Sequence, residues 1–576
     1  ALLSFVLMAM LGGDTDRQTI WVNKVFFLQS HCIFGMFIGY GLMYAFYLIL
    51  VNELEFIHPA LAVSLAALPA YYNWSTAEQK GHDFGWQYGY DMLINCDKDA
   101  VFYGGTDPGR FVPTYMIFSE SFQNPKWKMD KIARNPREKE FDRRDLYIIT
   151  QNALADDTYM SYIRDHYGYQ RPANDRPLQK LLGRDKMYPK KPIWIPEAKD
   201  GEEAFKSYVQ LYQQNPAMAP GIIVSPDGRV SIVGIEGVFA INGILAQWIW
   251  EKNKHSHSFY VEESFPLGWM YPYLEPFGLC MKINKDPLKE ITPEMVERDM
   301  NYWNEYTNKL LGDPLFQRDE VAKKAFSKLR VSIAGLYQYR KMYKEADYAY
   351  RQSLELCPFS TESAFRYCDM LTKQEKFQLA IQVLQETKKH DPENRKIDEN
   401  IAMTIRQSQL AQRQGELLKA IENNKSDWNS YRELVGIYYQ RGRVDLMDAT
   451  IRDLIGRSDF PLQSYLELAK QYEEMRNITM VFEILNALTK RDPKNPGVWY
   501  NLAVIHSAML NGEKALDALE RAISIGGLPF AQQAASDGRF NNIRAFSRFQ
   551  EILKGGEKTT PNPSTPPPPA KVTPRR

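Results

Sequence analysis

Cysteine is scarce in this chain: five among 576 residues, at positions 32, 96, 280, 357 and 368, far apart and without a C-x-x-C pair. A disulfide framework and a cysteine-based zinc site are thereby excluded as organising features. Net charge is missing too. Lys and Arg total 71 against 70 Asp and Glu, and the resulting +1 gives no global attraction to a polyanion, so no nucleic-acid partner is expected. No Ser/His/Asp or Cys/His constellation stands out. His255-Ser256-His257 followed by Glu262 and Glu263 matches no strong ligand spacing, so no metal is expected. With 44% hydrophobic and 24% charged residues the chain is neither disordered throughout nor embedded in lipid along its length, and 576 residues exceed one ordinary core.

Charge is scarcest at the front, where residues 1–75 hold six charged side chains: Asp14, Asp16, Arg17, Lys24, Glu53 and Glu55. Val25–Val51 is free of charge and longer than the ~20 residues that cross a ~30 Å hydrocarbon layer, which predicts a transmembrane helix. Phe56–Tyr72 predicts a shorter second span, ending in the interfacial cluster Tyr71-Tyr72-Asn73-Trp74. Ala1–Leu11 reads as the tail of a helix that begins upstream. Residues 1–75 are therefore expected to be terminal transmembrane helices of a truncated membrane region, with a buried core of all-round apolar helices as the alternative.

From 76 to 311 short apolar runs alternate with amphipathic stretches, the pattern of a small mixed α/β domain. Strands are predicted at Ala100–Gly104 and Leu146–Thr150, and helices at Trp86–Asn95, Pro113–Phe122 and Thr158–Tyr167, which gives one βαβ unit. Gly221–Val224, Phe259–Val261 and Leu279–Ile283 read as further strands, and Ile235–Lys252 as a helix. Asn124–Arg144 carries eight Lys or Arg against four Asp or Glu and suits either lipid headgroups or a solvated loop.

Residues 312–554 repeat. Starting points at Ser327, Thr361, Arg395, Trp428, Leu462 and Pro496 are 34, 34, 33, 34 and 34 residues apart, the period of tetratricopeptide helix pairs. Trp499, Leu502, Ala503, Ala515, Leu519 and Ala522 hold the bulky and small positions of the last repeat; Tyr465, Leu468, Ala469, Tyr472, Leu485 and Pro493 hold those of the fifth. Small residues let paired helices approach, bulky ones fill the gap, and the proline closes the unit. The third repeat is degenerate. Residues 555–576 contain seven prolines and are expected to form an extended, disordered tail.

One loop is a candidate ligand site: Gly104, Gly105, Thr106, Asp107 and Arg110, between a predicted strand and a predicted helix, where open α/β sheets place ligands. Its glycines permit close backbone approach, and Asp107 with Arg110 can orient a polar ligand. It lacks the endings of a nucleotide P-loop and of a dinucleotide fingerprint, and a tight strand-to-helix turn capped by Thr106 or Asp107 is the plainer account.

Four strings carry a resemblance: Tyr71-Tyr72-Asn73, CDKDAVFYGGTDPGRFVPTYMIFSESF, RRDLYIITQNALADDTYMSYI and FYVEESFPLGWMYPYLEPFGLCMKI. Over roughly Val25–Asn284 the chain resembles the C-terminal half of a bacterial family of large membrane proteins similar to protein O-mannosyltransferases, often ending in tetratricopeptide repeats. The resemblance implies a glycosyltransferase of the inner membrane, its soluble part extracytoplasmic, using a lipid-linked sugar donor. The family's loop commonly reads Gly-Asp-Asn-Asp-Thr, so only Asp107 inherits a ligand role. The acidic base of such transferases sits in an early loop that this chain does not include, so the chain alone is expected to be inactive. The expected partners are membrane lipid and a peptide or protein held by the repeats; the alternative function is a non-enzymatic, membrane-anchored scaffold for envelope assembly.

Overall fold

A computed structural model describes residues 16–17, 19–20, 28–51, 64, 67–68, 71–74, 78, 81–105, 107–123, 141–169, 189, 191–214, 221–224, 230–232, 234–262, 266–475 and 477–556. The architecture is mostly helical, dominated by tetratricopeptide-type helix pairs, and this corrects the expected fold class in its membrane part. Among the described residues no helix is long and apolar enough to cross a membrane. Helix α1 (Leu28–Val51) forms where the first span is predicted. Ala1–Leu11, most of Phe56–Tyr72, and 557–576 of the proline-rich tail lie outside the described residues.

The chain divides into two compact units, Ala1–Ile405 and Arg406–Arg576. The first holds a five-stranded mixed sheet in the order β2-β1-β5-β7-β6, built from β1 (Val101–Gly104), β2 (Tyr147–Thr150), β5 (Phe259–Glu262), β6 (Leu274–Phe277) and β7 (Cys280–Ile283). β1 runs parallel to both neighbours, Val101 opposite Tyr147 on one side and Phe259 on the other, whereas β7 is antiparallel to β5 and β6. Every residue of β1 and β5 is buried, as befits central strands covered on both faces. Two short strands, β3 (Ile222–Val224) and β4 (Val230–Ile232), form a separate antiparallel pair.

The covering helices are α2 (Phe84–Leu93), α3 (Asp107–Tyr115), α4 (Asp157–Tyr167), α5 (Ala198–Gln214) and α6 (Gly234–Asn253). α3 starts six residues before the predicted Pro113, because Asp107-Pro108 supplies an acidic first turn and a proline whose missing N–H costs nothing there. Pro113 then removes an internal hydrogen bond, and the helix continues as a π-turn over Met116–Glu120.

From β7 the chain enters α7 (Pro293–Leu311) and the first helix pairs: α8 (Glu320–Tyr339) with α9 (Tyr343–Leu356), and α10 (Thr361–Lys373) with α11 (Phe377–His390). One apolar core runs from Phe84 through the sheet to Leu384 and Ile397, so the sheet and these repeats are packed together. Arg17 touches the same region, pairing with Glu320 and lying 4.2 Å over the Phe359 ring.

α12 (Arg395–Asn423) contains the division between the units. The second unit then pairs α13 (Trp428–Gln440) with α14 (Val444–Gly456), α15 (Leu462–Glu474) with α16 (Ile478–Arg491), and α17 (Pro496–Ala508) with α18 (Gly512–Gly526), closing with α19 (Leu528–Ser536) and α20 (Ser547–Gly556). The degenerate third repeat is one uninterrupted 29-residue helix. The difference shows at a single repeat position. Fourteen residues after their starts, repeats one, two, four and six turn between helices on a left-handed residue: Lys341, Glu375, Gly442 and Leu510, with φ of 60°, 61°, 68° and 58°. The third repeat has Gln409 there, inside α12, and stays helical. Glycine at the two kinds of position is expected to act with opposite sign. Leu510→Gly, at an 81% exposed side chain, relieves left-handed strain and should stabilise the second unit by about 0.5–1 kcal/mol. Gln409→Gly, in mid-helix, should destabilise it by about 1 kcal/mol. Urea midpoints of the two variants decide, and shifts in the same direction would contradict this account.

Candidate functional site

Among the described residues, side chains suited to a ligand gather at more than one place in the first unit. The first is the end of the sheet beyond the C-termini of β1, β2 and β5, where β2 and β5 flank β1 on opposite sides. The candidate loop lies here, but much of it is committed internally. A Cβ on Gly104 would stand 2.5 Å from the Gly109 carbonyl oxygen, so the bare backbone lets the strand end meet the helix start. The Gly105 N–H donates to the Glu262 carbonyl at 3.2 Å, and its own carbonyl accepts from Asn152 Nδ2 at 2.8 Å. Gly109 faces the carboxylate of Glu262: a Cβ there would lie 1.4 Å from Oε2. Glu262 is buried and accepts from the Tyr88 hydroxyl at 3.1 Å. A carboxylate thus already occupies the positive first turn of α3.

What remains for a ligand is Asp107 and Arg110, which pair at 3.0 Å with Asp107 exposed. Arg110 Nε and Asn152 Oδ1 are buried without a hydrogen-bond partner among the described residues. Thr106 lies outside the described residues. Among the described residues no group of metal-holding side chains occurs, His255, His257 and Glu262 included, and Glu263 lies outside the described residues. His257 instead packs edge-on against Tyr147 at 5.4 Å, and burial lowers its imidazole pKa.

The second place is a groove of about 700 Å³ along the first helices of repeats one and two, which sequence reasoning assigned to the repeats without locating. α8 supplies Gly335, Gln338 and Tyr339; the turn and α9 supply Lys341 and Tyr343; α10 supplies Phe365, Arg366, Asp369 and Lys373. Tyr271, from the turn before β6, packs against Tyr339 with ring centres 4.7 Å apart and joins the wall. The joint is fixed by Arg340, whose Nη2 donates to the Pro272 carbonyl at 2.6 Å and Nη1 to that of Leu288 at 2.9 Å. Gly335 leaves room for Arg366 to lie across α8, since a Cβ would meet its Nη2 at 2.2 Å. Asp369 is paired with Lys373 at 2.8 Å. The groove is therefore walled by aromatic rings, rimmed by charge, and built from both the sheet and the repeats.

No protein-family model matches the chain, and no curated protein matches it. Among solved structures it is similar to YrrB, "a TPR protein with an unusual peptide-binding site", at 17% identity over 38% of this chain and 91% of that chain, with a TM-score of 0.13. It is similar to MamA at 14% identity over 40% and 92%, TM-score 0.14. A tetratricopeptide repeat protein from Parabacteroides merdae matches at 14% identity over 44% and 98%, TM-score 0.15. Likeness at this level says nothing of what this chain binds.

Proposed function

We propose that this chain is a protein-binding repeat protein whose groove on the first two repeats holds an extended peptide segment of a partner. The observation that supports this most is the wall of Tyr339, Tyr343 and Tyr271 beside Lys341, Arg366 and Lys373. Tyr339 and Tyr343 are 50% and 42% exposed, so their rings are available to a guest. Aromatic side chains with few rotatable bonds and a polar tip are efficient anchors for peptides. Peptides selected from a random display library on the full-length chain should bind Tyr339→Ala at least tenfold more weakly than the parent, with helical content unchanged. Equal affinity for parent and variant would remove the groove as the site.

A second reading attaches to the end of the sheet, where the resemblance points to a sugar donor. Support comes from Arg110 Nε and Asn152 Oδ1, a buried donor and acceptor left open beside Asp107. Because Glu262 already fills the helix start, hydroxyls donating to Asp107 suit this end better than a phosphate does. Saturation-transfer NMR with free hexoses and hexose phosphates should show contact with the hexose, lost in Asp107→Ala. Absence of any signal would end this reading.

A further inference from the structure

At the opposite end of the sheet from the candidate loop, where β5 begins and β7 ends, a cavity of about 530 Å³ is lined by the last turn of α6, the two strand ends and residues 284–289. Trp250 and Phe259 line it from the interior, both 1% exposed. The charged side chains around it are Lys254, Lys282, Lys285 and Lys289 against Asp286. Lys282 is already neutralised by Asp97 at 3.0 Å. Lys254 is fixed yet keeps its charge, because its ammonium lies 4.3 Å over the Trp250 ring and donates to the Lys285 carbonyl at 3.1 Å, and neither partner is an anion. Lys285 and Lys289 are exposed, with no hydrogen-bond or ion-pair partner for their side chains among the described residues. The segment that carries them is pinned. The Asn284 N–H donates to the Tyr273 carbonyl at 2.9 Å, the Leu288 N–H to that of Pro272 at 2.9 Å, and Arg340 Nη1 to that of Leu288 at 2.9 Å. Burial lowers the imidazole pKa of His257 in the same wall, so it adds no charge at neutral pH. Lys254, Lys285 and Lys289 thus face Asp286 alone, an excess of two positive charges.

We propose that this cavity binds a small molecule bearing a phosphate monoester, with the phosphate held by Lys254, Lys285 and Lys289 and the rest of the molecule lying against the cavity wall. Such a group carries close to two negative charges at neutral pH, its second pKa being about 6, and so matches the excess. Hydrogen bonds from ammonium groups to phosphate oxygens are about twice as strong as those between neutral groups. Lys254 is placed for one of them, since the Lys285 carbonyl takes only part of its donor capacity. The volume falls within the range of about 300–1,000 Å³ typical of small-molecule sites, far more than a bare phosphate fills. The repeat groove is also basic, but its Lys341, Arg366 and Lys373 line no part of this cavity.

Calorimetric titration of the full chain with phenyl phosphate, in low salt and slightly above neutral pH, should show saturable binding at one site. The double variant Lys285→Ala with Lys289→Ala changes only exposed side chains, so it should keep its helical content and bind at least about tenfold more weakly. Phenyl sulfate, of similar shape but with a single negative charge, should bind at least about threefold more weakly than phenyl phosphate. Lys373→Ala, in the repeat groove, should bind like the parent. Absence of saturable binding, a double variant within threefold of the parent, equal affinity for the sulfate, or a loss in Lys373→Ala as large as in the double variant would each overturn the proposal. Flotation with phosphatidic acid vesicles separates a soluble monoester from a lipid headgroup. Vesicle binding that the double variant loses, in a chain that ignores phenyl phosphate, would overturn it as well.

Discussion

Replacing Arg330 by methionine is expected to destabilise the first unit by about 3–5 kcal/mol, read from urea denaturation followed by the fluorescence of buried Trp303. Arg330 and Asp299 are both fully enclosed, with side chains 0% and 1% exposed, and pair at 2.8 Å. Asp299 Oδ2 also accepts from the Tyr337 hydroxyl at 2.9 Å, while its Oδ1 has no hydrogen-bond partner among the described residues. Arg330 Nε donates to Gln352 at 2.8 Å, whose amide continues to Asn304 at 2.7 Å, and the guanidinium lies 5.2 Å over the Trp303 ring. The network joins α7 to the first helix pair. Methionine preserves the stem volume but leaves a buried carboxylate with only the tyrosine, so the cost comes from an uncompensated charge.

The double variant Arg330→Met with Asp299→Leu separates that charge from the packing. It should recover most of the loss, because an apolar pair of similar volume does without the desolvation of both ions. The single-variant loss should barely change between low and 0.5 M salt, since the pair is sealed from solvent. A single-variant cost below 1 kcal/mol, or a double variant as unstable as the single, would show that the ion pair does not hold this junction.

How much of this was readable from sequence differs by element. The 34-residue spacing of small and bulky residues located the helix pairs, because each repeat packs mainly on its neighbours and the pattern is local. The fusion of the third repeat was visible only as degeneracy; that Gln409 stays helical where others adopt left-handed φ needed the backbone. β6 escaped because Pro276 argues against a strand, yet it lies on the edge of the sheet, where proline is tolerated. The apolar front end misled in the other direction: among the described residues no helix is long and apolar enough to cross a membrane. At the end of the sheet the loop's position was legible, but the side chain that fills it was not. Glu262 comes from a strand more than 150 residues later, and only the parallel pairing of β1 with β5 brings it to Gly109.

That contact yields the second large expected effect. Gly109→Ala should cost about 3 kcal/mol or more, since the new methyl falls within 1.4 Å of Glu262 Oε2 and 2.2 Å of its Cδ. The carboxylate cannot swing away cheaply. It is enclosed at 1% exposure, bonded to Tyr88, and carried on a central strand whose backbone also holds Gly105. Moving it would strand a polar group in the interior and tilt the start of α3. Removing the obstacle instead should relieve the strain: Glu262→Ala alone loses about 1–3 kcal/mol through the lost hydrogen bond from the Tyr88 hydroxyl, yet combined with Gly109→Ala it should be less damaging than the sum of the two. A coupling of about 1–3 kcal/mol in the double-mutant cycle is the expected result. Strict additivity would mean that something other than Glu262 limits the side chain at position 109, and the loop would then have room for a ligand at the helix start after all.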